Sequence, residues 1–160
     1  MSGSSKRGHR ALPVLNEDPR AWEVKVWVMF ARVSTRLERR LGQGLAAHGL
    51  SLSQFDVLAT LRHGEGITQR ELAERLLVTK GNVVGLIDRV GAAGWVERRP
   101  DPEDRRVNRL YLTDAGRKVL SEAFPGHVAE IRRAFGRLTE DELRRMHRLL
   151  ARLESGLGGG

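Results

Sequence analysis

Two adjacent guanidinium groups, Arg105 and Arg106, close the segment Pro100-Asp101-Pro102-Glu103-Asp104-Arg105-Arg106. Proline and aspartate at this density are turn chemistry. The flanking stretches, 95–99 and 107–112, have the composition of short strands. The arginines are therefore expected at the tip of a two-stranded ribbon, far from any core. A cationic finger of this kind suits the narrow groove of duplex DNA, where A·T content deepens the negative potential. Asp104 is placed to brace one guanidinium while the other enters the groove. The spacing leaves either arginine open to either task.

A second set lies just upstream. A helix expected from Lys80 to about Ala93 turns Val83, Leu86, Ile87 and Val90 inward. Its opposite face carries Gly81, Val84, Gly85 and Asp88, with Asn82 and Arg89 at the flank. The major groove of B-DNA admits one α-helix, and a helix start offers backbone N–H groups to a phosphate. Thr79 and Lys80 suit phosphate contact, Asn82 an adenine edge, and Val84 a thymine methyl group. Gly81 and Gly85 bring no side chain, so direct base reading through this helix is sparse. Thr68 and Gln69, opening the preceding helix, complete the candidate DNA-facing set. For Lys80 and Asn82 the plainer alternative is solvation of a helix start.

A third set is apolar. Trp22, Val26, Phe30 and Phe55 are bulky residues on helices expected to meet near this unit, and helix junctions often leave apolar pockets. Asp56 follows Phe55, and Arg98 is a candidate partner for it, with a plain surface carboxylate as the safer reading. Together these six form a candidate small-molecule site, with ordinary core or interface packing as the alternative. Catalytic chemistry finds no constellation. The five histidines are scattered, and no zinc-protease, nucleophile-elbow or phosphate-loop motif occurs. Glu140-Asp141-Glu142 open a helix, where they answer its dipole. Cysteine is absent, which removes disulfides and thiol chemistry. The expectation is a protein without metal or cofactor that is not an enzyme.

The elements that must position these residues follow from periodicity. Residues 1–18 are polar and basic and read as a flexible arm. From 19 to 48 the recurrence of Trp22, Val26, Met29, Phe30, Val33, Leu37, Leu41 and Leu45 predicts one long helix, with Gly42, Gly44 and Gly49 at its frayed end. Ser51 with Gln54, Thr68 with Glu71, and Thr139 with Glu142 have capping-box spacing. Thr79 and Thr113 are further N-cap candidates. Val78-Thr79 forms the turn between the two central helices. Residues 51–112 are then a winged helix-turn-helix, 113–155 two C-terminal helices with a kink at Pro125, and 156–160 a flexible tail. The fold class is mainly α with a small β-hairpin wing.

The bulk properties agree. The chain has 160 residues, a formal charge of +8 and a pI near 11.0. Only four of its 28 basic residues are lysine. Such a field favours polyanions without naming one. No apolar run approaches the roughly 20 residues of a membrane helix, and the basic N-terminus lacks a signal-like apolar region. A cytoplasmic protein with no membrane partner is expected. The long end helices carry wider apolar faces than so small a lobe can cover, which points to a homodimer.

Several of these residues resemble the MarR family of bacterial transcription regulators. The likeness is carried by Leu72-Ala73-Glu74-Arg75-Leu76, by Leu86-Ile87-Asp88-Arg89 and by Gly94-Trp95-Val96-Glu97-Arg98-Arg99. It continues through Asp101-Pro102-Glu103-Asp104-Arg105-Arg106 and Leu112-Thr113-Asp114-Ala115-Gly116. The resemblance implies a homodimer built from the end helices and a double-stranded pseudo-palindromic operator. In many members it also implies an aromatic anion whose binding favours a dimer that fits DNA badly. A dimeric, sequence-specific repressor is the resulting expectation, and an architectural or non-specific DNA-binding protein without an effector is its rival. Val84 and Gly85 stand where the family often has polar or basic residues. The peroxide-sensing cysteine is missing. Trp22, Asp56 and Arg98 echo the urate-responsive members, but Leu86 replaces an expected arginine.

Overall fold

The computed structural model describes residues 21–76 and 79–157, with the side chain of Lys80 excepted. The predicted arm at 1–18, the turn residue Val78 and residues 158–160 lie outside this range. Six helices and three strands follow in the order α1 (Trp22–Ala46), α2 (Leu52–His63), β1 (Ile67–Thr68), α3 (Gln69–Arg75), α4 (Lys80–Ala92), β2 (Val96–Pro100), β3 (Asn108–Leu112), α5 (Asp114–Phe135) and α6 (Glu140–Leu157).

Packing divides the chain into two units, Met1–Arg36 and Leu37–Gly160. In the first, the described residues belong almost wholly to α1. Trp22, Val26, Trp27, Met29, Phe30 and Val33 are between 46% and 75% exposed, so its apolar row meets solvent in the single chain.

The second unit holds the core. Leu45, Leu58, Leu61, Leu72, Ile87, Leu110 and Leu120 are fully buried and bring α2 to α5, the sheet and the end of α1 together. Each such side chain contributes roughly 1.5–3 kcal/mol on leaving water. Val57, off the periodic row read in the sequence, is equally buried because α2 is surrounded by packed elements. Caps delimit the helices as expected. Ser51 and Thr68 form full capping boxes, and Thr79 and Thr113 accept from the N–H groups of Asn82 and Gly116.

Three expectations are corrected. The ribbon is part of a three-stranded antiparallel sheet in the order β1-β3-β2. Its added strand pairs Ile67 with Leu110 and Thr68 with Arg109. Helix α1 continues through Gly42 and Gly44 to Ala46, and only Gly49, at φ 70°, takes the left-handed conformation that ends such a helix. Pro125 lies inside α5, which is one continuous helix from Asp114 to Phe135. Helix α6 extends to Leu157, two residues into the segment expected to be a flexible tail.

Candidate nucleic-acid interface

Strand β2 pairs with β3 from Val96–Leu112 to Pro100–Asn108, and residues 101–107 cap the ribbon. The tip is organised by Asp101, which is 6% exposed. Its Oδ1 accepts from the backbone N–H groups of Glu103 (2.7 Å) and Asp104 (3.1 Å), and its Oδ2 accepts from Arg109 Nε. Asp101 N donates to the Val107 carbonyl at 2.8 Å, closing the loop. The N–H of Glu103 foremost, then that of Asp104 and the Arg109 guanidinium, hold the Asp101 carboxyl below the usual carboxylate range.

This changes the expected role of Asp104. Its carboxylate accepts from the backbone N–H of Arg106 at 3.0 Å and, among the described residues, braces no guanidinium. The braced arginine is Arg109, held by Asp101. The reason is geometric: a short side chain at a turn reaches the N–H two residues on more readily than a long cation. Arg105 and Arg106 are exposed, and no ion pair engages either among the described residues. Two guanidinium groups therefore stand free at the tip.

Helix α4 sinks Val83, Leu86, Ile87 and Val90 into the core. Gly81, Asn82, Val84, Asp88 and Arg89 are exposed, with Gly85 half-buried. Arg98 on β2 ties this helix to its neighbours. Its Nη2 donates to Asp88 Oδ1 at 2.5 Å. With the amide oxygen of Gln69 turned toward it, Nη2 and Nε also donate there at 3.2 Å each. Arg98 was expected beside Asp56, but the structure pairs it with Asp88, which the hairpin places within reach of β2. The arginine thus joins the first residue of α3, the outer face of α4 and the wing. Thr68 is engaged internally: its hydroxyl donates to Glu71 and accepts from the Glu71 N–H.

Within the second unit, Phe55 and Asp56 do not gather with Arg98. Phe55 is core, 3% exposed, with its ring centroid 4.2 Å from that of His127 and 6.3 Å from that of Phe124. Asp56 lines a shallow groove of about 360 Å³ with Ala59, Thr60, His63, Arg75 and Leu76. Burial, and secondarily the charge of Glu38, raise the Asp56 carboxyl above its ordinary value. Trp22, Val26 and Phe30 belong to the first unit, where they are exposed.

Sequence reasoning missed two residues at the joint between wing and α5. Glu65 accepts from Leu112 N at 2.9 Å and from Arg117 Nη2 at 2.9 Å. The Arg117 hydrogen bond leads in lowering its pKa. Gly116 lies so close to Trp95 that a Cβ there would stand 2.0 Å from the Trp95 carbonyl oxygen. The Leu-Thr-Asp-Ala-Gly string carried the second signal, because glycine inside a first helical turn needs a packing reason. Among the described residues, no group of three or more histidine, aspartate or glutamate side chains is arranged to hold a metal. Nor is any helix there long and apolar enough to cross a membrane.

Two capped helices joined by a short connection, then an antiparallel ribbon with a cationic tip, define a winged helix-turn-helix. A family model described as "MarR family" matches residues 48–107. The transcriptional regulator PecS of Dickeya dadantii is 31% identical over 130 residues, covering 79% of this chain and 78% of that protein. The transcriptional repressor YetL of Bacillus subtilis is 28% identical over 124 residues, 76% of this chain and 74% of that one. A mutant MarR from E. coli, solved in complex with operator DNA, matches with a TM-score of 0.79 at 27% identity, covering 86% of this chain and 99% of that one. The chain belongs to the MarR family of transcription regulators.

Proposed function

We propose that the protein is a homodimeric repressor that binds a pseudo-palindromic operator, laying α4 in the major groove and the wing tip in the adjacent minor groove. The observation that carries this reading is the pair Arg105 and Arg106, exposed and unpaired on a tip that Asp101 holds in shape. Thr79, Lys80, Gly81, Asn82, Val84 and Arg89 supply the helix side of the contact. Gln69 and Arg98 set its framework.

Dimerisation is supported by exposed apolar rows. Helix α1 shows Trp22, Val26, Met29, Phe30 and Val33, and α6 shows Leu149, Leu150, Leu153 and Leu157. Apolar surface of this extent marks an association face. A second copy is the fitting occupant, because two-fold pairing sets two recognition helices about 34–36 Å apart, one duplex turn. Repression follows if the operator overlaps a promoter, and the relative named as a repressor supports that sense. Release by a small aromatic or anionic ligand belongs to the same reading. The groove at Asp56, with a cation at Arg75, a hydroxyl at Thr60 and the apolar wall of Ala59 and Leu76, supports it.

The test is a titration of purified protein against DNA flanking its own gene and against random duplex at one salt concentration, with sedimentation of both complexes. Tight binding of one palindromic fragment by two copies is the expected result. Equal affinity for all duplexes would favour an architectural protein. A monomer that ignores DNA would end the proposal.

A further inference from the structure

The outward face of α4 poses a problem of economy. Glycine weakens a helix more than any residue but proline, yet Gly81 and Gly85 both stand in this one. Neither has the positive φ that would favour glycine, since Gly49, Gly66 and Gly94 alone do so among the described residues. Packing does not require them either. A Cβ on Gly81 would meet nothing within 4 Å, and one on Gly85 would meet only the flexible end of Arg89, at an ordinary 3.5 Å. Gly116 makes the contrast, because there the protein's own backbone fills the space. No neighbouring side chain or backbone among the described residues accounts for glycine at 81 or 85, and Gly81 is exposed on the outward face.

Between them stands Val84, 44% exposed and apolar, while its neighbour Val83 is core. One turn further along, one carboxylate oxygen of Asp88 is held by Arg98 and turned toward the wing. The central part of this face thus offers one branched apolar side chain flanked by two bare backbone positions. Among base edges in the major groove, the group that matches such a surface is the C5-methyl of thymine.

We infer that Val84 is a specificity-determining residue that reads a thymine methyl group in each half-site, with Gly81 and Gly85 clearing its flanks so that the helix axis lies close to the base edges. This rests on the DNA-binding reading above and adds the identity of a base. It also gives the glycines a cause, since a larger side chain at either position would hold the helix away from the groove floor.

The experiment uses the full chain and duplexes that it recovers from a random-sequence pool. Each thymine in the recovered site is replaced singly by deoxyuridine, which removes only the methyl group. One position per half-site should weaken binding about fourfold, the factor for a single buried methyl. Val84→Ala alters both protomers, so it should weaken the thymine duplex by about the square of that factor, roughly fifteenfold, and show no further loss with deoxyuridine at that position. Gly85→Leu should keep or raise Tm while lowering affinity at least about tenfold, one factor of 1.4 kcal/mol. Uniform indifference to deoxyuridine, undiminished sensitivity in Val84→Ala, or unchanged affinity of Gly85→Leu would overturn the assignment while leaving DNA binding intact. Recovery of no duplex by the unaltered protein would overturn the DNA-binding reading, and this inference with it.

Discussion

Arg109 fastens Asp101 to the body of the sheet. Its Nε donates to the Asp101 carboxylate while its Nη1 donates to the Gly66 carbonyl at 2.7 Å. Gly66 N in turn donates to the Leu110 carbonyl at 2.9 Å. The wing tip is thereby anchored to the α2–β1 connection and not only to its own strands. A charged finger gains by being pre-shaped, since less ordering remains to be done on binding.

Asp101→Ala removes the acceptor for two backbone N–H groups and for Arg109. Helix content should be unchanged, while affinity for the recovered duplex falls about tenfold or more, several hydrogen bonds being lost together. Because the folded Asp101 carboxyl titrates below its unfolded value, its stabilising effect is present above the ordinary carboxylate range and fades as pH falls through the folded value. Proteolysis of the 101–107 segment should accelerate in that acid window for the parent protein and at all pH values for the variant. Equal cleavage of both at pH 7 would contradict this role.

Arg105→Ala with Arg106→Ala should abolish specific binding without altering the sedimentation coefficient or Tm. The slope of log affinity against log salt should fall by about one unit per phosphate contact removed. Unchanged affinity would deny the wing its function.

Leu150→Glu with Leu153→Glu tests the dimer. Both side chains are largely exposed in the single chain, so an isolated protomer should tolerate the change while a pair would not. Sedimentation should show monomers, with operator affinity reduced at least about a hundredfold by loss of the second half-site. Deletion of residues 1–32 should act in the same direction and yield monomeric or insoluble protein. A stable, DNA-binding dimer from either variant would place the interface elsewhere.

His127 supplies a separate pH dependence. Burial lowers its pKa, and its buried Nδ1 meets no hydrogen-bond partner among the described residues. Below the ordinary imidazole value the unfolded chain takes up a proton that the folded chain resists, so stability falls as pH drops through that window. Denaturation midpoints should decline between about pH 7 and pH 5, and His127→Leu should flatten the decline. An identical pH profile in the variant would exclude the histidine as its source.

Asp56 has the opposite sign. Its raised carboxyl, caused first by burial and then by Glu38, makes the ionised form a cost to the fold near neutrality. Asp56→Asn should raise Tm at pH 7, and the gain should disappear in acid, where both side chains are neutral. Loss of stability at pH 7 would show that the carboxylate has a partner it needs.

Much of this architecture was legible because it is local. Ser51 with Gln54, Thr68 with Glu71 and Thr113 before α5 act within one turn, so spacing alone revealed them. The core face of α4 followed from a period of 3.6. What escaped depends on distant partners. Strand β1 is two residues long and exists only through its pairing with β3. The Glu65–Arg117 clasp spans an entire lobe of sequence, and periodicity carries no trace of it. Sequence offers Arg98 only as a candidate partner for Asp56, whereas the fold of α4 against β2 brings Asp88 to it. In sequence, Asp101 is one turn-forming residue among several. Its burial, which makes it the organiser of the tip, is visible only once Arg109 lies beneath it.

The contact between Gly116 and Trp95 has a mechanical consequence. Trp95 N is bonded to the Val90 carbonyl at the end of α4, and Thr113 is bonded to both Gly94 and Trp95 at the start of α5. With no slack for even one methyl group at Gly116, these two helix ends are welded into one lever. A displacement of the start of α5 would have to carry the end of α4 with it, because Gly116 leaves no room for the two to slide past each other.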